Sequence, residues 1–121
     1  MVRVLVVDDQ AMFLGAMVSV VEETPGFEVV GRATSGEDCV LRVDELLPDL
    51  VLMDVNLPGI DGLEATRRLH ARTAAPVVLL LSTYDDDAGE RFVAESGAAG
   101  YVTKSAFGPD HLEAAWSAAG R

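Results

Sequence analysis

Lysine is nearly absent from this chain, and basic residues are few altogether. Nine of the 121 residues are basic and 20 are acidic, so the formal net charge at pH 7 is −11. Lys104 is the only lysine. Because affinity for nucleic acid comes chiefly from Lys and Arg side chains that neutralise phosphates, we expect no direct nucleic-acid contact by this chain. Proteins and cations are the partners that so acidic a surface favours.

Cysteine and long apolar runs are also scarce. The single cysteine, Cys39, cannot form a disulfide within the chain. No stretch approaches the roughly 18 apolar residues of a transmembrane helix, and the first apolar run is too short for a signal peptide. We therefore expect a reduced, cytoplasmic domain with no membrane partner. The length suits one domain over residues 1–121, with any effector domain beyond Arg121.

Short apolar runs alternate with segments of helical period along the whole chain. The runs predict five strands, at Arg3 to Val7, Glu28 to Gly31, Leu50 to Asp54, Pro76 to Ser82 and Ala99 to Thr103. Strands that are apolar almost throughout are buried on both faces, which requires a parallel sheet with helices on each side. The fold class is therefore α/β, a doubly wound (βα)5 arrangement. Such a sheet can take the order 2-1-3-4-5. Its ligand site then lies at the topological switch point, which the first and third strands flank.

Helix ends can be predicted from capping residues. Pro109 suits the first turn of the last helix, and Asp85 precedes the fourth helix, whose interior Gly89 should weaken it. Two further pairs have the spacing of N-terminal capping boxes, Ser35 with Asp38 and Asp61 with Glu64.

Charged residues follow three of the predicted strands. Asp8 and Asp9 follow the first, Asp54 ends the third and Lys104 follows the fifth. Because the carboxyl ends of parallel strands meet at one edge of a sheet, we expect these four side chains to lie together. Clustered carboxylates repel each other unless a cation is bound, and Mg²⁺ is a hard ion that takes carboxylate oxygens and keeps room for phosphate.

An aspartate beside Mg²⁺ can attack phosphorus and form an aspartyl phosphate. Charge on the transferred oxygens must then be neutralised. The compact ammonium of Lys104 suits a single phosphate oxygen, and the hydroxyl of Ser82, at the end of the fourth strand, is a suitable donor. The sequence thus predicts a site for phosphoryl transfer.

The chain resembles the receiver domain of bacterial two-component response regulators over essentially its whole length. The resemblance implies a flavodoxin-like fold. It is carried by four motifs in this order: Val6-Val7-Asp8-Asp9, Met53 to Gly62 (MDVNLPGIDG), Leu81-Ser82-Thr83, and Gly100-Tyr101-Val102-Thr103-Lys104.

The resemblance also implies roles for individual residues. Asp54 would accept the phosphoryl group from a sensor histidine kinase, so that the domain is no ordinary enzyme but catalyses its own phosphorylation and dephosphorylation. Mg²⁺ would be held by Asp9, Asp54 and the main-chain carbonyl of Asn56, with Asp8 nearby. Ser82 and Lys104 would hold the phosphoryl oxygens, and the rotamer of Tyr101 would follow them.

The resemblance is greatest to response regulators with a C-terminal helix-turn-helix. It implies transcription regulation through a DNA-binding domain absent from these 121 residues. Either the chain is cut before that domain, which we expect, or it is a free-standing receiver. On phosphorylation, we expect the face made by the fourth helix, fifth strand and fifth helix to contact a second copy, giving a homodimer, or an effector. Leu14, where this subfamily often has arginine, and the first helix would recognise the kinase. Ser105 replaces the proline that often follows the lysine.

Other functions remain open from the sequence. A degenerate receiver that binds proteins without being phosphorylated would normally lack one of the acids or the lysine, and all are present here. An aspartate-dependent phosphatase usually separates its two aspartates by one residue, whereas Asp8 and Asp9 are adjacent. A nucleotide- or flavin-binding module would need a glycine-rich phosphate loop, and neither common form of that loop occurs.

Overall fold

A computed structural model describes residues 1–120, without the side chain of Asp86; Arg121, the last residue of the predicted domain, lies outside the described part. Strands and helices alternate throughout. The strands are β1 (Val2–Val7), β2 (Phe27–Ala33), β3 (Leu50–Asp54), β4 (Val77–Ser82) and β5 (Gly100–Thr103). The helices are α1 (Ala11–Glu23), α2 (Gly36–Leu46), α3 (Gly62–His70), α4 (Asp86–Ser96) and α5 (Pro109–Ala118).

The five strands form one parallel sheet in the order β2-β1-β3-β4-β5. This confirms the predicted doubly wound fold. All residues of β3 and β4 are buried, as their continuous apolar sequence requires. One face of the sheet packs against α2, α3 and α4 and the other against α1 and α5. Within residues 1–120, no helix has the length and apolar character needed to cross a membrane.

Strand β2 is longer than its sequence pattern suggested. It continues through Gly31 to Ala33, with an irregularity where its pairing with β1 shifts between Val4 and Leu5. A side chain at position 31 would collide with Leu46 of α2. Gly31 therefore permits close packing of the helix on the strand and does not mark the strand's end.

The predicted caps are present. Backbone N–H groups of Asp38 and Glu64 donate to the side chains of Ser35 and Asp61, at 3.1 and 2.8 Å. Asp85 Oδ1 accepts from Ala88 N at 2.9 Å, and α5 begins at Pro109. The side-chain caps fix where α2, α3 and α4 begin, and so fix the loops that lead into them from the carboxyl edge of the sheet.

Leu14, which together with the first helix was predicted to recognise the kinase, lies in the core. Leu14 is only 9% exposed and packs in the core between α1 and the sheet with Met17 and Val18. Met12, two residues earlier and on the outer face of α1, is 85% exposed. Kinase recognition by the first helix stays a prediction.

Candidate functional site

Three aspartates meet at the carboxyl edge of the sheet, between β1 and β3. Asp8, Asp9 and Asp54 each have a carboxylate oxygen within 4.8 Å of the other two. Asp8 and Asp54 are buried, and Asp9 is exposed. The cluster lies at the point where the chain order of the strands reverses, because β1 and β3 are neighbours in the sheet while β2 lies outside them. The predicted grouping of the acids is confirmed.

Lys104 joins this cluster from the end of β5. Its ammonium lies 2.9 Å from Asp8 Oδ2 and 3.3 Å from Asp54 Oδ1, and its side chain is only 8% exposed. Its backbone N–H donates to the carbonyl of Ser82 at 2.8 Å, which fixes the turn after β5 against the end of β4. One ammonium against three carboxylates leaves two negative charges in the cluster, so a cation would still be attracted.

The electrostatics of Asp54 reflect this imbalance. Burial, and then the charge of Asp8, raise the pKa of Asp54 from its ordinary value of 3.8 to about 6, while Lys104 and the backbone N–H of Asn56 act in the opposite direction. The carboxylate is mostly ionised at neutral pH, but its negative charge is unfavourable in this environment. A bound cation would relieve that cost.

The donor set fits Mg²⁺. Asp8 Oδ1 accepts a hydrogen bond from Gln10 N at 2.9 Å. Asp8 Oδ2 is buried and lies 2.9 Å from the Lys104 ammonium, which also contacts Asp54. One ammonium is thus shared by two buried carboxylates. Carboxylate oxygens in this number, open to water on one side, are the ligands that Mg²⁺ takes in phosphoryl-transfer sites.

A cavity opens above the cluster and is called here the acidic crevice. Its volume is about 260 Å³. It is lined by Asp9, Gln10, Asp54, Asn56, Thr83 and Lys104. Asp54 and Lys104 therefore face a space that solvent can enter. No role was predicted for Gln10 or Thr83, although both adjoin residues with predicted roles.

The loop that carries Asn56 is held by close packing. Gly62, the first residue of α3, has no room for a side chain because a Cβ there would overlap the carbonyl of Asp54. Its N–H donates to Val55 O at 2.8 Å. Ile60 N donates to Glu37 Oε2 at 3.3 Å, which ties the same loop to α2. These contacts fix the backbone on either side of Asn56.

Ser82 is fully buried at the end of β4. Its Oγ accepts a hydrogen bond from Tyr84 N at 3.2 Å. A hydroxyl that accepts can still donate its own hydrogen, so this bond leaves Ser82 able to donate to an anion. The crevice itself is lined by the neighbouring Thr83.

Tyr101 is half-buried and lies against α4. Its hydroxyl donates to the carbonyl of Tyr84 at 2.6 Å, and its ring makes an edge contact with Phe92 at 6.2 Å between centroids. The ring also lies directly over Gly89, where an added Cβ would come within 2.5 Å of three ring atoms. The Ser82–Tyr84 and Tyr84–Tyr101 bonds thus form a continuous connection from the site to α4.

This chain is similar to known signalling proteins. The family model described as a response regulator receiver domain matches residues 4–117. The chain is 42% identical over 106 residues to the response regulator GacA of Pseudomonas aeruginosa and 39% identical over 106 residues to the response regulator UvrY of Escherichia coli K12. Each alignment covers 88% of this chain but 50% and 49% of the relatives, so the chain spans about half the length of the curated relatives it matches.

The fold is similar to that of a solved response regulator. A two-component response regulator of the LuxR family from Aurantimonas sp. SI85-9A1 superposes with a TM-score of 0.87. The two sequences are 34% identical, and the match covers 99% of this chain and 86% of that chain. The match therefore extends over nearly the whole of this chain.

Proposed function

This chain belongs to the response regulator receiver domain family and so to two-component phosphorelay signalling, and we propose that Asp54 is the residue that accepts a phosphoryl group from a sensor histidine kinase. The observation that carries the proposal is the position of Asp54. Its carboxylate is at once in contact with the Lys104 ammonium, grouped with Asp8 and Asp9, and open to the acidic crevice.

In the proposed reaction the Asp54 carboxylate attacks the phosphorus of a phosphohistidine. An O–P bond forms, the P–N bond breaks, and the imidazole leaves with its electron pair. Lys104 transfers its contact from the Asp54 carboxylate to a phosphoryl oxygen, and the Ser82 hydroxyl donates to another. These groups neutralise charge on the transferred oxygens, which is the main work of proteins in such transfers.

Mg²⁺ is the cofactor that we propose for this step. Asp9, Asp54 and the main-chain carbonyl of Asn56 would hold the ion, with Asp8 beside them. The ion would neutralise charge shared between the carboxylate and the phosphoryl group. The geometry in favour is the three grouped carboxylates, which a single ammonium, that of Lys104, only partly neutralises.

The signal would leave the site through β4 and α4. If the Ser82 hydroxyl is drawn toward phosphate, its hydrogen bond with Tyr84 N changes. The Tyr84 carbonyl, to which the Tyr101 hydroxyl donates, would move with it. We propose that this shift alters the face made by α4, β5 and α5, which then forms a homodimer or contacts an effector. In a longer cytoplasmic protein of the kind to which this chain is similar, a DNA-binding effector would make the output transcription regulation.

A small phosphodonor tests the proposal without the kinase. Incubation of the wild-type chain with acetyl phosphate and Mg²⁺ should add one phosphoryl group by intact mass, and Asp54→Asn should abolish the addition. Asp9→Asn should slow it, because a ligand is lost while the nucleophile remains. The matched control is Asp49→Asn, which changes an acid at the opposite edge of the sheet. If the folded wild type is not modified, the degenerate receiver is favoured instead.

A further inference from the structure

Lys104 has an aromatic partner that has no role in the reaction steps proposed above. Its ammonium lies over the ring of Phe13, 4.1 Å from the ring centroid. Phe13 belongs to the first turn of α1, far from Lys104 in sequence. An ammonium within about 6 Å of an aromatic face is attracted by the electrons of the ring, most strongly when water is excluded. The 8% exposure of the Lys104 side chain meets that condition.

The surroundings of Lys104 divide into two sides. On one side its ammonium contacts Asp8 and Asp54 in the acidic crevice. On the other side its stem borders a small cavity of about 100 Å³. Apart from Lys104 itself, that cavity is lined by apolar side chains: Phe13, Ala16, Met17, Val20, Leu81 and Phe107. Among these, Phe13 is the ring on which the ammonium rests.

We propose that Phe13 is a positioning residue for phosphoryl transfer, because its ring holds the Lys104 ammonium at the mouth of the crevice. This inference rests on the proposed function of Asp54. Lysine has a long stem with many rotamers, and during transfer Lys104 must release Asp54 and bind a phosphoryl oxygen. The two carboxylates cannot direct that change alone, since one of them is consumed by it. The ring is a partner that persists before and after transfer.

The test compares variants that change the electron density of the ring more than its size. With acetyl phosphate and Mg²⁺, Phe13→Leu should lower the phosphorylation rate constant about three- to tenfold, whereas Phe13→Tyr and Phe13→Trp should keep it near the wild-type value. Phenylalanines with one to five ring fluorines, placed at position 13 alone, should lower the rate progressively because fluorine withdraws electrons from the ring. This series preserves packing, so it remains decisive if Phe13→Leu does not fold.

Phe107→Leu is the matched control. It removes the same group from the same apolar cavity, and it should leave the rate near that of the wild type. Because Lys104 is the only lysine, lysine labelled with ¹³C and ¹⁵N gives a single side-chain signal set in NMR. The ring of Phe13 should shift the Lys104 Hε protons upfield, and Phe13→Leu should remove that shift while Phe107→Leu keeps it.

Each outcome decides for or against the inference. Equal rates across the fluorinated series, or equal losses of rate for Phe13→Leu and Phe107→Leu, would overturn it and show that Phe13 acts through packing alone. Failure of the wild type to be phosphorylated would instead remove the proposed function. The NMR shift would still show whether the ring holds the ammonium, and its absence in the wild type would overturn the contact itself.

Discussion

Gly89 and Gly15 both lie in the interior of a helix, but the structure predicts opposite effects of replacing them by alanine. Alanine is favoured over glycine in a helix interior by about 0.5–1 kcal/mol. At Gly15 in α1 nothing lies within 4 Å of an added Cβ, so Gly15→Ala should stabilise the domain by about that amount. At Gly89 in α4 the added Cβ would come within 2.5 Å of three atoms of the Tyr101 ring.

The Tyr101 ring would have to move by more than 1 Å to restore a carbon–carbon contact of about 3.5–4 Å. Forcing a bulky group into a packed site costs about 1–3 kcal/mol. The shift would also disturb the 2.6 Å bond from the Tyr101 hydroxyl to Tyr84 O. Allowing for the helix-propensity gain, we expect Gly89→Ala to give a net destabilisation of about 0–2.5 kcal/mol, instead of the stabilisation expected at Gly15.

Urea unfolding followed by the fluorescence of Trp116, the only tryptophan, would measure both effects. A Tyr101→Ala background supplies the control. Without the ring, Gly89→Ala should become stabilising, like Gly15→Ala, since only the helix-propensity term remains. If Gly89→Ala stabilises the wild-type domain as much as Gly15→Ala does, the close approach of Tyr101 to α4 is refuted.

Two further predictions concern the acidic site. Because the folded state holds a proton on Asp54 more tightly than the unfolded state, with the pKa raised from 3.8 to about 6, this residue should reduce stability as pH rises through that interval. Above about pH 6, Asp54→Asn should therefore stabilise the ion-free domain by about 1–2 kcal/mol. This is less than the roughly 3 kcal/mol that an unscreened shift of two pKa units would give. Below about pH 4 the substitution should have almost no effect on stability. Chemical denaturation in chelator at several pH values checks this, and a stabilisation independent of pH would contradict it. Mg²⁺ at about 100 times its dissociation constant should add about 2.7 kcal/mol to stability, and Asp9→Asn should reduce the effect at the same concentration. Equal melting temperatures in Mg²⁺ and in chelator, at matched ionic strength, would count against a metal site.

The sheet order and the grouping of the acids could be predicted from the sequence because each depends on a local pattern. Continuous apolar runs identify buried parallel strands, and the charged residues that follow those runs must meet at one edge. Asp8, Asp54 and Lys104 needed no knowledge of side-chain packing to be placed together. The capping pairs were equally local, which is why Ser35 and Asp61 could be assigned from spacing alone.

Features that depend on packing between distant segments were not predicted. Phe13 fits the apolar stripe of α1, and only the folded chain brings its ring under Lys104. Gly89 was interpreted as a weakness of α4, whereas it leaves room for Tyr101. Leu14 was assigned to kinase recognition, and only the folded chain shows that it is buried in the core. No local pattern encodes which side chain fills which space.

The position of the phosphoryl group is the most direct test of the account. After reaction with acetyl phosphate and Mg²⁺, reduction with borohydride converts an aspartyl phosphate into homoserine, which tandem mass spectrometry of the digested chain can place at a single residue. We predict homoserine at position 54 in the wild type and none in Asp54→Asn. Homoserine at position 8 or 9, or its persistence at unchanged yield in Asp54→Asn, would contradict the assignment of Asp54 as the phosphoacceptor.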